Sequence, residues 1–196
     1  LKMHGGVAKA NLSGEDVPAV VRGAGNLEKH IENLQKFGLP IVVAVNEFPT
    51  DTPAELAAVL EICGRHGVEA AISQVFGAGG KGGVAVAEKL LALMERTPST
   101  YQPLYPLSAP LTEKVRIIAR EIYGADDAVF TKEAEQSIEK LTSMGYGELP
   151  ICMAKTQYSL SDDPSLLGRP QGFNVTVRQA KLSAGAGFVV MLTGEI

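Results

Sequence analysis

Apolar and polar positions in the first half of the chain fall into alternating helix-like and strand-like blocks. Residues 41–45 form an unbroken, mostly β-branched apolar run, which is typical of a strand covered on both faces of a parallel sheet. The predicted segments, in order, are helix 14–38, strand 41–45, helix 53–66, strand 70–75 and helix 84–96. This alternation predicts an α/β fold built on a parallel sheet.

Helical spacing also predicts which side chains point into the core. Helix 84–96 carries an apolar face that we expect to be buried, composed of Val84, Ala87, Leu90, Leu91 and Met94.

The pattern changes at residues 97–110, which contain four prolines and no periodicity, as in an irregular connector. The expected domains are therefore 1–98 and 99–196, the second a smaller α+β domain. Its predicted segments are helix 111–123 capped by Thr112, strand 127–130, a helix from the Thr131 cap to about Met144, and strands 150–155, 173–177 and 188–193. The SAGAG sequence at 183–187 precedes a strand and not a helix, so it predicts a hairpin turn.

Polar and aromatic residues follow the first predicted strand abruptly, in the sequence NEFPTDTPAEL. Thr52 and Glu55 fit a capping box, with Pro53 at the first helical position. Because α/β sheets bind ligands at the carboxyl ends of their strands, Phe48 and Pro49 could form a platform for a flat heterocycle. Alternatively, Phe48 only packs against the turn.

A second aromatic residue, Phe76, comes at the predicted end of the second strand. If the two strands are neighbours, Phe48 and Phe76 project from one sheet edge and leave a slot for a bicyclic ligand. Each stacking contact would contribute about 0.5–1.5 kcal/mol beyond the buried area. The alternative is that the two rings pack on each other.

Two further groups are candidates for binding a nucleotide or another anion. The loop FGAGGKGG contains Gly79, Gly80, Lys81 and Gly82 and opens a helix, whose backbone amides attract anions. It lacks the GxxxxGK[ST] spacing of a phosphate loop, and its glycines could equally let a ligand approach the backbone.

Asn46 and Asp51 make up the other group. They occupy positions that could read a base, but they could instead cap the strand end and the helix start.

Composition excludes several classes of function. A net charge of −4 with interspersed signs gives no basic surface for nucleic acid, and no apolar run approaches the roughly 20 residues of a membrane helix. The two cysteines, Cys63 and Cys152, are expected to be buried free thiols, which fits a reducing, cytoplasmic location. The three histidines are scattered and predict no metal site. A chain that starts at Leu1 and stops directly after a strand-like segment suggests a piece of a longer polypeptide.

Several long strings resemble formate–tetrahydrofolate ligases from end to end: LKMHGG, NEFPTDT, the glycine loop with its aromatic entrance, IYGAD, ICMAKTQYSLSDDP and SAGAGF…TGEI. The resemblance implies the C-terminal third or so of such an enzyme. The fold expected from it is part of the parallel sheet of a P-loop NTPase-like domain, followed by the smaller α+β domain. The family's phosphate loop lies in an N-terminal part that has no counterpart here.

The resemblance also implies the chemistry. Formate and ATP give formyl phosphate, and tetrahydrofolate attacks it to yield 10-formyltetrahydrofolate, ADP and phosphate. By resemblance, Phe48 and Pro49 form one wall of the folate pocket, and Phe76 stands where many members carry tryptophan as the opposing wall. The resemblance further implies a homotetramer and a monovalent cation. The alternatives are a non-catalytic folate-binding or subunit-assembly module, and a protein that binds nucleotide through residues 77–83.

Overall fold

The computed structural model describes residues 1–154, 156 and 160–194, and the chain divides into two compact units, Leu1–Gln102 and Pro103–Ile196. The helices are α1 (Val17–Gln35), α2 (Pro53–Arg65), α3 (Val75–Ala78), α4 (Val84–Arg96), α5 (Leu111–Ile118) and α6 (Lys132–Leu141). The strands are β1 (Val42–Asn46), β2 (Glu69–Ser73), β3 (Asp127–Phe130), β4 (Ile151–Ala154), β5 (Asn174–Val177), β6 (Gln179–Ser183) and β7 (Phe188–Leu192). This mixture of helices with small, mostly parallel sheets confirms the α/β class.

The first unit is built on a parallel pair of strands. β1 and β2 run in register from Val42↔Glu69 to Asn46↔Ser73. The predicted capping box of α2 is confirmed, because the Thr52 hydroxyl accepts from the Glu55 N–H and the Glu55 carboxylate accepts from the Thr52 N–H. Parallel pairing with a helical connection brings the carboxyl ends of both strands to the same edge.

β1 is less covered than the sequence predicts. Val43 packs in a cluster with Ile31 of α1 and Cys63 of α2, but Ala44 is exposed. The outer edge of β1 opens onto a cavity of about 260 Å³ lined by Val43, Ala44, Val45 and Asn46. None of the five residues of β1 is fully buried, so the prediction of a strand buried on both faces is wrong here.

Helix α4 packs across both strands with a different face from the predicted one. Leu93 is buried, whereas Val84, Ala87, Leu90, Leu91 and Met94 are exposed. The helix has more apolar positions than one face can bury, so spacing alone could not decide which stripe meets the strands.

In the second unit, β3 pairs with β5 in parallel, and β4, β7 and β6 form a mixed sheet. The SAGAG hairpin turn is confirmed between antiparallel β6 and β7. The sequence pattern did not predict β6, because the segment QAKLS has only two apolar side chains. Lys155, the predicted last residue of β4, lies outside the described residues.

Two local predictions in this unit are wrong. Thr112 does not cap α5, which begins at Leu111 after Pro110 and has no side-chain cap. Cys152 is exposed, because it alternates with the buried Ile151 along β4 and faces the other way. Cys63 is buried as expected.

Lys114 is buried in the core of the second unit. Its ammonium donates to the carbonyl oxygens of Gly147 and Leu149, each at 2.9 Å, and so fixes the segment that leads into β4.

No helix among the described residues is long and apolar enough to cross a membrane.

Replacing Lys114 by methionine should lower the free energy of unfolding by about 2–3 kcal/mol, because two partly buried carbonyls lose a charged donor. Urea unfolding followed by circular dichroism measures this. Lys132→Met, at an exposed position, is the control and should change stability by less than about 0.5 kcal/mol. Equal effects of the two substitutions would show that the Lys114 contacts contribute nothing.

Glu55 makes the first unit sensitive to acid. Burial opposes ionisation of this carboxyl, but the Asp16 N–H at 2.8 Å, the Lys2 ammonium at 3.0 Å and the Thr52 N–H together hold its pKa below the ordinary 4.5. A carboxyl whose pKa is lowered by folding contributes stability above its unfolded pKa and loses that contribution as pH falls.

Glu55→Gln should therefore destabilise the chain by about 1–3 kcal/mol at pH 7, and it should lose less additional stability on acidification below about pH 4.5 than wild type. Urea unfolding at a series of pH values measures both effects. Glu61→Gln, exposed on the same helix, should follow the wild-type pH curve. Parallel pH curves for wild type and Glu55→Gln would refute the assignment.

Candidate functional site

The candidate site lies where β1 and β2 end. Beyond the last register pair, the Glu47 N–H donates to the Ser73 carbonyl at 3.0 Å, so the two chains stay together for one more residue. The residues that follow, Phe48 and Pro49 on one side and Gln74 to Phe76 on the other, leave the sheet from adjacent points.

A tight turn fixes Phe48 relative to α2. The Phe48 N–H donates to the Asp51 carboxylate at 2.9 Å, and the Asp51 N–H donates to the Phe48 carbonyl at 2.9 Å. Thr52 then caps α2 directly. In this structure Asp51 therefore closes the turn that presents the aromatic ring.

The glycine loop holds the second ring. Contrary to the sequence prediction, β2 ends at Ser73, and Phe76 lies on the one-turn helix α3. The strand stops because Gln74 turns the chain: its N–H donates to the Gly82 carbonyl at 3.0 Å, and its carbonyl accepts from the N–H groups of Gly77 and Ala78. A side chain at Gly82 would place its Cβ 2.4 Å from the Gln74 carbonyl, so the loop can only close this way with glycine.

Phe48, Pro49 and Phe76 line one cavity of about 290 Å³, together with Glu47, Gln74, Gly77 and Ala78. The Phe48 and Phe76 rings are 45% and 69% exposed. They are in direct contact, with centroids 5.1 Å apart and planes inclined by 54°. The rings thus converge as predicted, but the open slot expected between them is absent, because two solvent-exposed rings reduce their contact with water by packing on each other.

The residues considered for nucleotide or anion binding do not gather here. Asn46 and Asp51 line the separate cavity beside β1, together with Lys2 and Glu55. Lys81 is exposed, and residues 79–82 line neither of these two cavities.

Sequence reasoning missed two polar residues of the aromatic cavity, Glu47 and Gln74. The Gln74 amide donates to the Glu47 carboxylate at 2.8 Å. Each is the first residue after its strand in the structure, but Gln74 falls inside the predicted strand 70–75, so the sequence pattern offered no signal for this pair. Within the described ranges, no group of three or more histidine, cysteine, aspartate or glutamate side chains could hold a metal ion.

The loop packing gives a direct prediction. Gly82→Ala should destabilise the chain by about 1–3 kcal/mol and displace residues 74–76, because its Cβ meets backbone atoms that cannot move independently. Gly80→Ala is the matched control, since nothing lies within 4 Å of a Cβ at that position. Urea unfolding measures stability, and amide chemical shifts of Gln74 and Phe76 report the displacement. Indistinguishable variants would contradict the close contact.

Comparison with known protein families supports an assignment. The family model described as formate–tetrahydrofolate ligase matches residues 1–196. This match spans the whole chain, including both strand ends and the two aromatic residues of the cavity. The chain therefore belongs to the formate–tetrahydrofolate ligase family, a family of ligases that use ATP and tetrahydrofolate as substrates.

Proposed function

We propose that this chain supplies the tetrahydrofolate-binding end of an enzyme that joins formate to tetrahydrofolate at the expense of ATP, giving 10-formyltetrahydrofolate, ADP and phosphate. The observation that carries the proposal is the pair of exposed rings, Phe48 and Phe76, beside one cavity at the carboxyl ends of paired parallel strands. Ligands of α/β sheets bind at that edge.

A pterin suits this cavity because it is flat, bicyclic and partly polar. To hold it between two rings at van der Waals contact, the ring planes must stand about 7 Å apart, twice the optimal carbon–carbon separation of about 3.5 Å. The rings must therefore separate on binding. Both are at the surface, and Phe76 is the more exposed, so no core packing opposes this movement.

Phosphoryl chemistry needs more than these residues. The sequence contains no GxxxxGK[ST] pattern, and transfer of a phosphoryl group depends on positioned positive charge. We propose that the 196-residue chain alone binds folate without turnover, and that the P-loop NTPase-like phosphate site belongs to other residues of the enzyme. A homotetramer, a monovalent cation and a cytoplasmic location accompany this proposal as expectations from the family resemblance.

A subunit-assembly module is the second candidate, favoured by the exposed apolar side chains of α4, Leu91 and Met94 among them.

Incubating the purified chain with ATP, formate and tetrahydrofolate tests the proposed lack of turnover, because formation of 10-formyltetrahydrofolate would refute it. Folic acid binding separates the folate-binding proposal from a purely assembling module, which would bind none.

Phe48→Ala and Phe76→Ala should each weaken folic acid binding about 10-fold, since each removes a stacking surface. Equilibrium dialysis measures the affinity. Tyr101→Ala, which removes an exposed ring that lines no part of this cavity, should leave affinity unchanged. If both phenylalanine variants bind folic acid with wild-type affinity, the two rings serve only in packing and not in folate binding.

A further inference from the structure

The aromatic cavity has a polar wall made by Glu47 and Gln74. They follow the last register pair, Asn46↔Ser73, so they lie opposite each other on the two chains. Both backbones are fixed, since the Glu47 N–H donates to Ser73 and the Gln74 N–H donates to Gly82. The side chains of the polar wall therefore extend from hydrogen-bonded backbone positions.

The contact between them leaves acceptors available. An ionised carboxylate only accepts hydrogen bonds, so the atom of Gln74 that lies 2.8 Å from Glu47 Oε2 is its amide nitrogen. No described residue donates to the other carboxylate oxygen, Oε1, in this structure. Because Glu47 is half-buried and Gln74 exposed, this carboxylate is held in place while it remains accessible from the cavity.

Stacking alone cannot choose among flat ligands, because every heterocycle has a π face. A carboxylate at the edge of the stack supplies the choice. It pairs well with two adjacent N–H donors, as it does with the fork of a guanidinium group, and it repels a ligand edge that presents lone pairs.

We propose that Glu47 is the specificity-determining residue of this cavity and recognises the N3–H and 2-amino donors of a 2-amino-4-oxopteridine. Gln74 is a positioning residue that holds the Glu47 carboxylate toward the ligand. The inference rests on the proposed folate function and goes beyond it. It names the edge of the pteridine that is recognised, the N3–H and 2-amino edge, and the residue that binds this edge.

The test compares folic acid with its 2-desamino analogue, which keeps the stacking surface and loses one donor. Titration calorimetry on the purified chain should show wild type binding folic acid about 10- to 100-fold more tightly than the analogue, the effect expected of a charge-assisted hydrogen bond. In Glu47→Gln this ratio should fall to about 3-fold or less, mainly through weaker binding of folic acid. Glu61→Gln, an equal change of charge at an exposed site on α2, should keep the wild-type ratio.

Gln74→Leu provides a second variant. It should reduce the ratio only in part, because the carboxylate remains but is no longer held. If Glu47 and Gln74 only hold the strand ends together, both variants should change the free energy of unfolding and leave the ratio of the two affinities unchanged. That result would overturn the inference.

The outcomes separate the two proposals. If wild type binds folic acid and Phe48→Ala weakens it while Glu47→Gln preserves the ratio, the folate site stands and the role of Glu47 is wrong. If wild type shows no preference for folic acid over the analogue, Glu47 reads no donor edge, whatever the variants do. If wild type binds neither ligand, both proposals fail.

Discussion

The in-register parallel pairing of β1 and β2 is the constraint on which the candidate site depends. The Glu47 N–H extends it by one hydrogen bond to Ser73 and fixes the point at which the two chains separate. A shift of one residue would turn alternate side chains to the opposite face of the sheet and separate Glu47 from Gln74. Phe48 and Phe76 would then leave the sheet from different positions and could not share a cavity.

Two local devices convert this pairing into a site. On the β1 side, the Asp51 carboxylate closes a turn, and the next residue, Thr52, caps α2. On the β2 side, Gly82 packs against Gln74 at a distance that excludes any side chain. Both devices consist of backbone hydrogen bonds supported by a short side chain or by its absence. They fix the main chain and leave the aromatic rings exposed.

The combination of a fixed backbone with exposed rings suits the proposed binding site for a flat ligand. The contact between Phe48 and Phe76 covers apolar surface when no ligand is present. In the proposed folate complex, binding would exchange one ring–ring contact for two ring–ligand contacts, so part of the gain from stacking would be offset by separating the rings. A charged hydrogen bond at the polar wall adds selectivity that this exchange cannot supply, because stacking is similar for all flat heterocycles.

The sequence by itself determined the α/β class, the capping box at Thr52 and Glu55, and the hairpin before β7, because each depends on neighbours close along the chain. It also predicted that Phe48 and Phe76 come together if the two strands are neighbours, a condition that the pairing of β1 with β2 meets. The end of β2, the buried face of α4 and the pairing of Glu47 with Gln74 were decided only by tertiary structure. Each of these depends on a distant partner: the Gly82 carbonyl stops the strand, the strands select one of two apolar faces, and the register brings two polar side chains together across 27 residues of sequence.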